Sequence, residues 1–425
     1  MSRIKDVRAL EILDSRGRPT VSVTVRLESG FEATAQVPSG ASTGKHEAVE
    51  LRDKDPGRYG GEGVLRACAA VEEIIGPAIA GMDVTDQGGV DARTIRLDGT
   101  PDKSRLGANA ILGVSCAVAR AAALTKGVAL WESLEHPNPP RLPVPMVNIL
   151  SGGAHAGHRL EMQDFLVVPH GFASYREALE AAVRIHRATH DVVSGRGIPL
   201  TGVADEGGWG PTLERNEQAL ELLIEGIERA GFEPGRQVSI AVDPAASQFH
   251  RNGVYELASE KRSLTRAQMI QLLGEWVGRF PIVSIEDPLD EDDAEGWAEA
   301  TAALGGKVSI IGDDFFTTNP DRVRRGVAEK QANAVLVKMN QIGTLTETME
   351  VVGLARDAGW RAVISARSGE TEDSFLADLA VASGAGQIKI GSVTRSERLA
   401  KYNRLLQIER DSGLPWPADT AITDR

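Results

Sequence analysis

VSIAVD (238–243), PIVSIED (281–287), VSIIGDD (308–314), AVLVKMN (334–340), AVISARS (362–368) and QIKIGS (387–392) are six short apolar runs in the second half of a 425-residue chain. They are rich in β-branched residues and bounded by polar ones, the pattern of strands buried on both faces in a parallel sheet. Helix-patterned segments separate most of them. Asp243, Glu286, Asp313, Lys338, Arg367 and Lys389 lie at or near the ends of these runs. From Glu286 onward they recur at intervals of 27, 25, 29 and 22 positions, after a longer first gap of 43. That is the period of a βα unit. In a βα barrel the C-terminal strand ends carry the chemistry. Three carboxylates and two lysines on that ring predict a divalent cation and a base.

Working outward, MVNIL (146–150) and DFLVVP (164–169) read as two strands with only a loop between them. Two helical stretches follow, then GVADEGG (202–208), read as a further strand ending at Glu206. The barrel is therefore expected to open with a ββαα start before the regular βα rhythm. HPNPPRLPVPM (136–146) holds five prolines and cannot be helix interior, so the domain boundary is placed there. Residues 1–138 form an N-terminal domain and 139–425 the barrel. In the first domain VSVTVRLESGFEATAQVPSG (21–40) reads as a hairpin, with helices over about 61–80 and 105–126. The fold class is α/β: a TIM-like barrel with an N-terminal α+β capping domain.

Apolar residues make up 42% of the chain and charged residues 25%, as in a soluble globular protein. A net charge of −13 argues against nucleic-acid or membrane-surface partners. The longest apolar run, AILGVSCAVARAAAL (110–124), is interrupted by Arg120 and reads as a buried Ala-rich helix. The opening MSRIKDVRALEILDSRG lacks the apolar core of a secretory signal. Cys68 and Cys116, the only cysteines, suggest no disulfide framework. The expected location is the cytoplasm.

An oxygen-only ligand set of Asp243, Glu286 and Asp313 favours Mg²⁺ over zinc. Lys338, among apolar neighbours, reads either as a structural ion-pair partner or as a general base, its pKa lowered by burial and nearby cation charge. SGASTGK (39–45) fails as a P-loop. Three residues separate Gly40 from Gly44 where four are needed, and His46 follows the lysine. It reads instead as a mobile lid. His155 and His158 have H-x-x-H spacing, but flanking glycines make a loop, so a single substrate-facing His155 in a second lid is preferred to zinc. Glu206 reads as an acid partner opposite Lys338, or as a turn carboxylate bonded to nearby backbone.

These residues together resemble the enolase family over nearly the whole chain. The matching motifs are DSRG-PTV (14–21), PSGASTG (38–44), GGAHAG (152–157), DEGGW-P (205–211), SIEDP (284–288), GDD (312–314), KMNQIGTLTET (338–348), RSGETED (367–373), GQIK (386–389) and RSERLAKYN (395–403). The resemblance implies Asp243, Glu286 and Asp313 as ligands of a first Mg²⁺, and Ser39 as a ligand of a second that arrives with substrate. It implies Lys338 as the base that takes the proton α to a carboxylate, and Lys389 as the holder of that carboxylate. Glu206 would assist departure of the β-hydroxyl, working with the catalytic carboxylate of Asp164. Gln163 and Ser39 would help bind substrate, and His155 would close over the site. Arg367 and Ser368 would grip the phosphate of a three-carbon phosphorylated acid. A homodimer or larger homo-oligomer is also implied.

The departures from the family pattern gather in one place. S-H-R-S-G-E is here Ser365-Ala366-Arg367-Ser368-Gly369-Glu370, so a phosphate-site histidine is missing. Q-E-F is Gln163-Asp164-Phe165, HAGN ends in His158, and the glutamate after A-A-S is Gln248. Arg159 is a candidate to compensate for Ala366. Arg18 and Ser22 alter a stretch that normally helps form the dimer interface. The metal and base set is intact while the groups around the phosphate and leaving hydroxyl change. This predicts a specialised paralogue, such as a carboxyphosphonoenolpyruvate synthase of phosphonate-antibiotic pathways. The alternatives are an ordinary glycolytic enolase converting 2-phosphoglycerate to phosphoenolpyruvate and water, and a non-catalytic binding protein that kept the fold.

Overall fold

The computed structural model describes residues 2–40, 43–157, 160–200 and 202–417. The chain opens with an antiparallel sheet of β1 (Ile4–Leu13), β2 (Pro19–Leu27) and β3 (Glu32–Gln36), in that order. The β2–β3 hairpin is where the alternating pattern places it; β1 was not anticipated. Val21, Val23 and Val25 point to one face of β2 and are fully buried. The helix Ala108–Lys126 covers them. Gly113 allows that close approach, since a Cβ there would lie 2.5 Å from Val23 Cγ2. This helix is long and apolar enough to cross a membrane by length and composition, but it is mostly buried as a core helix. The helix expected over 61–80 is broken into Leu65–Ala69, a wider-turned Ala70–Ile75 and Gly76–Ile79.

From residue 144 the chain forms a closed eight-stranded barrel. Its strands are β4 (Val144–Ser151), β5 (Asp164–Pro169) and β6 (Val238–Asp243). A small sheet of β7 (His250–Arg251), β8 (Val254–Leu257) and β9 (Arg262–Leu264) intervenes. The barrel resumes with β10 (Ile282–Glu286), β11 (Ser309–Gly312), β12 (Ala334–Val337), β13 (Arg361–Ser365) and β14 (Gly386–Gly391). β5 runs antiparallel to β4 and β6, and β14 closes the ring on β4 in parallel. Two helices, Tyr175–Gly195 and Glu217–Arg229, fill the β5–β6 connection, which is the expected ββαα start. Side chains including Met146, Leu166, Ile311, Leu336 and Val363 fill the barrel, so it is a packed core and not a pore.

Segment 202–208 departs from expectation. Val203 bridges Trp209, and Gly207 N–H returns to Ala204 O, so Glu206 sits in a turn and not at a strand end. Gly207, with φ +89°, permits that reversal.

The N-terminal sheet caps the barrel mouth by gripping the loop after β13. Ser39 and Gly369 exchange backbone hydrogen bonds of 2.8 and 2.9 Å, and Ser15 N donates to Glu370 O at 2.7 Å. Asp373 accepts from Gln36 N at 2.9 Å and from Arg120 Nη1 at 2.8 Å. The loop carrying Arg367 and Ser368 is thus held from the N-terminal side.

Candidate active site

Asp243 and Glu286 are the last residues of β6 and β10, Asp313 follows β11, and Lys338 follows β12. All three carboxylates are buried. Lys389, within β14, donates through Nζ to Asp243 Oδ2 at 2.8 Å and to Glu286 Oε1 and Oε2 at 2.7 and 2.8 Å. Burial disfavours its charge, but Asp243 and Glu286 outweigh burial and hold the ammonium well above its ordinary range. Burial, followed by the charge of Asp243, pushes the Glu286 carboxyl well up, with Lys389 opposing. Lys338 Nζ pairs with Asp313 Oδ2, and Gln341 Nε2 donates to Asp313 Oδ1 at 2.8 Å. The expected lowering of Lys338 is reversed here: burial does push it down, but the Asp313 carboxylate outweighs burial and raises it.

The donor set fits a hard divalent cation, with three carboxylates and no sulfur. Asp243 Oδ1 is buried without a hydrogen-bond partner, an oxygen with lone pairs to spare. Lys389 bridges Asp243 and Glu286 while Asp313 holds Lys338, and the three carboxylates do not form one tight cluster. Among the described residues, the groups whose ligand atoms lie within 4.8 Å of one another are His155/Asp164/Glu206 and Asp287/Asp313/Asp314. In the second group Asp287 is spent on the chain itself, accepting Asp313 N and Asp314 N at 2.8 Å each.

His155 sits in the short turn Gly153–Ala156 between β4 and β5. Its Nδ1 lies 3.3 Å from Asp164 Oδ2 and its Nε2 lies 3.7 Å from Glu206 Oε1. Burial opposes charge on the ring, but Asp164 and then Glu206 win and raise it from 6.5 to about 9. Burial alone would raise Glu206, yet the imidazolium of His155 and nearby basic groups hold it below its usual value. Burial raises Asp164, with His155 opposing. A histidine raised to about 9 is expected to carry its proton at neutral pH. A group raised in the folded state stabilises below its unfolded pKa and loses that contribution as pH climbs through the folded one. The His155 contribution, at most about 3 kcal/mol, should disappear between roughly pH 6.5 and pH 9. Melting curves across that window should fall more steeply for the wild type than for His155→Gln. Parallel curves would refute the assignment.

Arg367 Nη1 and Nη2 reach Glu47 Oε2 and Oε1 at 2.9 and 3.1 Å, a two-point pair in which both side chains are buried. Burial disfavours the guanidinium charge, but Glu47 overrides it. Ala366, Arg367, Ser368, Lys338, Lys389, Gln163, Glu206 and His155 border one small cleft, about 350 Å³ when its open mouth is included. Two wider clefts of about 580 Å³ lie elsewhere and do not reach the barrel carboxylates. Ser39 stands apart from the other expected residues. Its hydroxyl donates to Glu50 Oε2 and accepts from Arg52 Nη2, each at 2.9 Å, and so is committed to the N-terminal domain. Ser42 and Ala41 of the same lid lie outside the described residues, as do His158 and Arg159. The described part of the lid is docked: Lys45 N donates to Glu291 Oε2 at 3.0 Å and Ala48 N to Gln341 O at 2.8 Å.

Sequence reasoning missed Glu47, Gln341 and Asn148. Glu47 meets Arg367 across 320 positions, a pairing that no local spacing announces. Asn148, inside β4, donates to Asp164 and to Ser151 Oγ. Gln341 follows Lys338 by three residues in a turn of helix, and only that spacing hinted at a shared partner.

Residues 4–134 match the family model "Enolase, N-terminal domain" and residues 140–415 match "Enolase, C-terminal TIM barrel domain". A protein named enolase from Acidothermus cellulolyticus is 55% identical over 411 residues, covering 97% of this chain and 95% of that relative. One from Rubrobacter xylanophilus is 54% identical over 97% of this chain and 96% of its own length. "Enolase 1" of Methylococcus capsulatus is 52% identical, covering 97% and 98%. With both family models matched in order along nearly its full length, the chain belongs to the enolase family and is an enzyme of that lyase superfamily.

Proposed function

We propose that this enzyme carries out the ordinary enolase reaction, removing water from 2-phosphoglycerate to give phosphoenolpyruvate. The supporting observation is the placement of base and acid groups on opposite sides of one barrel mouth. Lys338 leaves β12, while Asp164 begins β5, four strands away around the eight-stranded ring. His155 and Glu206 stand with Asp164. A three-carbon acid between them meets Lys338 at its α-carbon and Glu206 at its β-hydroxyl. The relatives named enolase at 52–55% identity favour this reading over the specialised paralogue expected from the altered pocket.

Asp243, Glu286 and Asp313 would hold Mg²⁺. When bound, it supplies charge stabilisation to a carboxylate whose α-carbon is losing a proton. Lys389 Nζ, poised between Asp243 and Glu286, binds the substrate carboxylate. Arg367 and Ser368 take the phosphate, with Glu47 yielding the guanidinium. The carboxylate that raises Lys338 is the one assigned to the cation. Commitment of Asp313 elsewhere removes the largest influence that raises Lys338, leaving burial and the Arg367 charge, which push it toward its neutral, basic form, opposed by Glu286 and Asp314. His155 Nε2 holds a proton 3.7 Å from Glu206 Oε1, and this pair delivers it to the departing hydroxyl. A homo-oligomer is proposed on membership of the enolase family.

A second reading rests on the substituted pocket itself. Ala366, Asp164 and Gln248 each replace a family residue, and Ala366 borders the cavity beside Arg367. This favours a larger phosphorus-containing acid, as in a carboxyphosphonoenolpyruvate synthase. Turnover of 2-phosphoglycerate with Mg²⁺, followed by phosphorus NMR, separates the two. A rate of about 10 s⁻¹ is expected of the ordinary reaction. No dehydration, with Mg²⁺ still bound, would overturn it in favour of the second reading. On the ordinary reading Ala366→His adds a charged contact to the phosphate, of about 1.5–3 kcal/mol. KM for 2-phosphoglycerate should then fall about tenfold or more. An unchanged KM would refute a phosphate contact at this position.

A further inference from the structure

Gln248 takes no part in the chemistry above, yet it joins two parts of the site. It lies in the turn Ala246–Phe249, five residues after Asp243 at the end of β6. Its Oε1 accepts from Ala154 N at 3.1 Å, within the turn that carries His155. Its Nε2 donates to Gln163 Oε1 at 2.6 Å, and Gln163 Nε2 donates to Asp243 Oδ2 at 3.1 Å. The direction of this relay is not free to reverse. A backbone N–H can only donate, so Ala154 makes the facing atom of Gln248 its oxygen, and each amide in turn must present nitrogen to the next acceptor. The relay ends on one oxygen of Asp243, which also accepts from Lys389, and leaves Oδ1 as the oxygen without a partner. Packing supports the same arrangement. Gly153 has φ +47°, and a Cβ there would lie 3.0 Å from Gln248 Oε1 and 3.1 Å from Gln163 Cα. The turn thus approaches these two side chains as closely as glycine permits.

We propose that Gln248 is a positioning residue that locks the His155 turn to the Asp243 carboxylate through the Gln163 amide. The histidine beside Glu206 and the free oxygen offered to the cation are thereby set together. This rests on the assignment of Asp243 as a cation ligand in the proposed function. A glutamate at this position would accept from Ala154 N equally well but would have no donor for Gln163 Oε1. The amide here therefore determines which end of Gln163 faces Asp243.

The test is Mg²⁺ titration calorimetry on the full chain, comparing wild type, Gln248→Met, Gln163→Met, the double variant and Asp243→Asn. Each single glutamine variant should weaken Mg²⁺ binding by about tenfold, the low end for a group that orients a metal ligand. The double variant should bind no more than about twofold weaker than the worse single, because both act through one relay. Gln248→Asn, with the same groups on a shorter stem, should lose affinity like Gln248→Met and serves if the methionine variant does not fold. Wild-type affinity in Gln248→Met or Gln248→Asn, with Asp243→Asn defective, would overturn the relay alone. So would effects that multiply in the double variant. Wild-type affinity in Asp243→Asn would overturn the cation assignment, and the relay with it.

Discussion

Lys338→Met is expected to lower turnover of 2-phosphoglycerate by about 10³–10⁴-fold and to stop exchange of its α-hydrogen with solvent deuterium. Lys338 is the one lysine at the barrel mouth whose ammonium rests on Asp313; Lys389 is held between Asp243 and Glu286. Lys389 is therefore tied too strongly to two carboxylates to act as a base. Asp313, like Asp243 and Glu286, is also assigned to the cation, but Lys338 has one such clamp where Lys389 has two. Methionine keeps the length and apolar stem of lysine while removing the nitrogen. Among the described residues it also leaves the Asp313 carboxylate with Gln341 as its donor, and breaking a buried pair costs about 3–5 kcal/mol. Melting curves with and without Mg²⁺ therefore accompany the assay. A folded variant that exchanges the α-hydrogen at the wild-type rate would end the assignment of Lys338 as base.

Glu206→Gln should behave differently, and the contrast between the two variants is the stronger test. Turnover should fall by about 10²–10⁴-fold while α-hydrogen exchange continues, because the base is untouched and only departure of the hydroxyl is impaired. Glu206 also supports the charge on His155, second only to Asp164 among the groups that raise it. Its loss should therefore move the basic limb of any remaining pH–rate profile downward. Loss of exchange as complete as the loss of turnover would show that Glu206 serves proton abstraction or folding.

Most of the architecture was legible because barrel strands buried on both faces leave an unmistakable pattern. VSIAVD, SIIG and AVLV read as strands without neighbours to consult, and the charged residues that follow them had to face a common mouth. Elements that depend on partners were harder to read. β1 mixes exposed and buried positions irregularly, since one of its faces is left partly open. The 202–208 segment has strand-like composition, but a left-handed glycine and a bridge to Trp209 turn it back on itself.

Sequence alone determined six of the barrel strands by their apolar runs, the carboxylates and lysines that follow them, and the family, because local pattern and motif spacing are properties of the chain itself. Tertiary structure decided what each of those groups is bonded to. It put Glu47 on Arg367, Lys338 on Asp313, and Ser39 between Glu50 and Arg52. It also set His155 between Asp164 and Glu206, whose charges raise the imidazole. Charge states in a buried site depend on the sum of burial and every neighbouring charge, and those neighbours come from strands far apart in the chain.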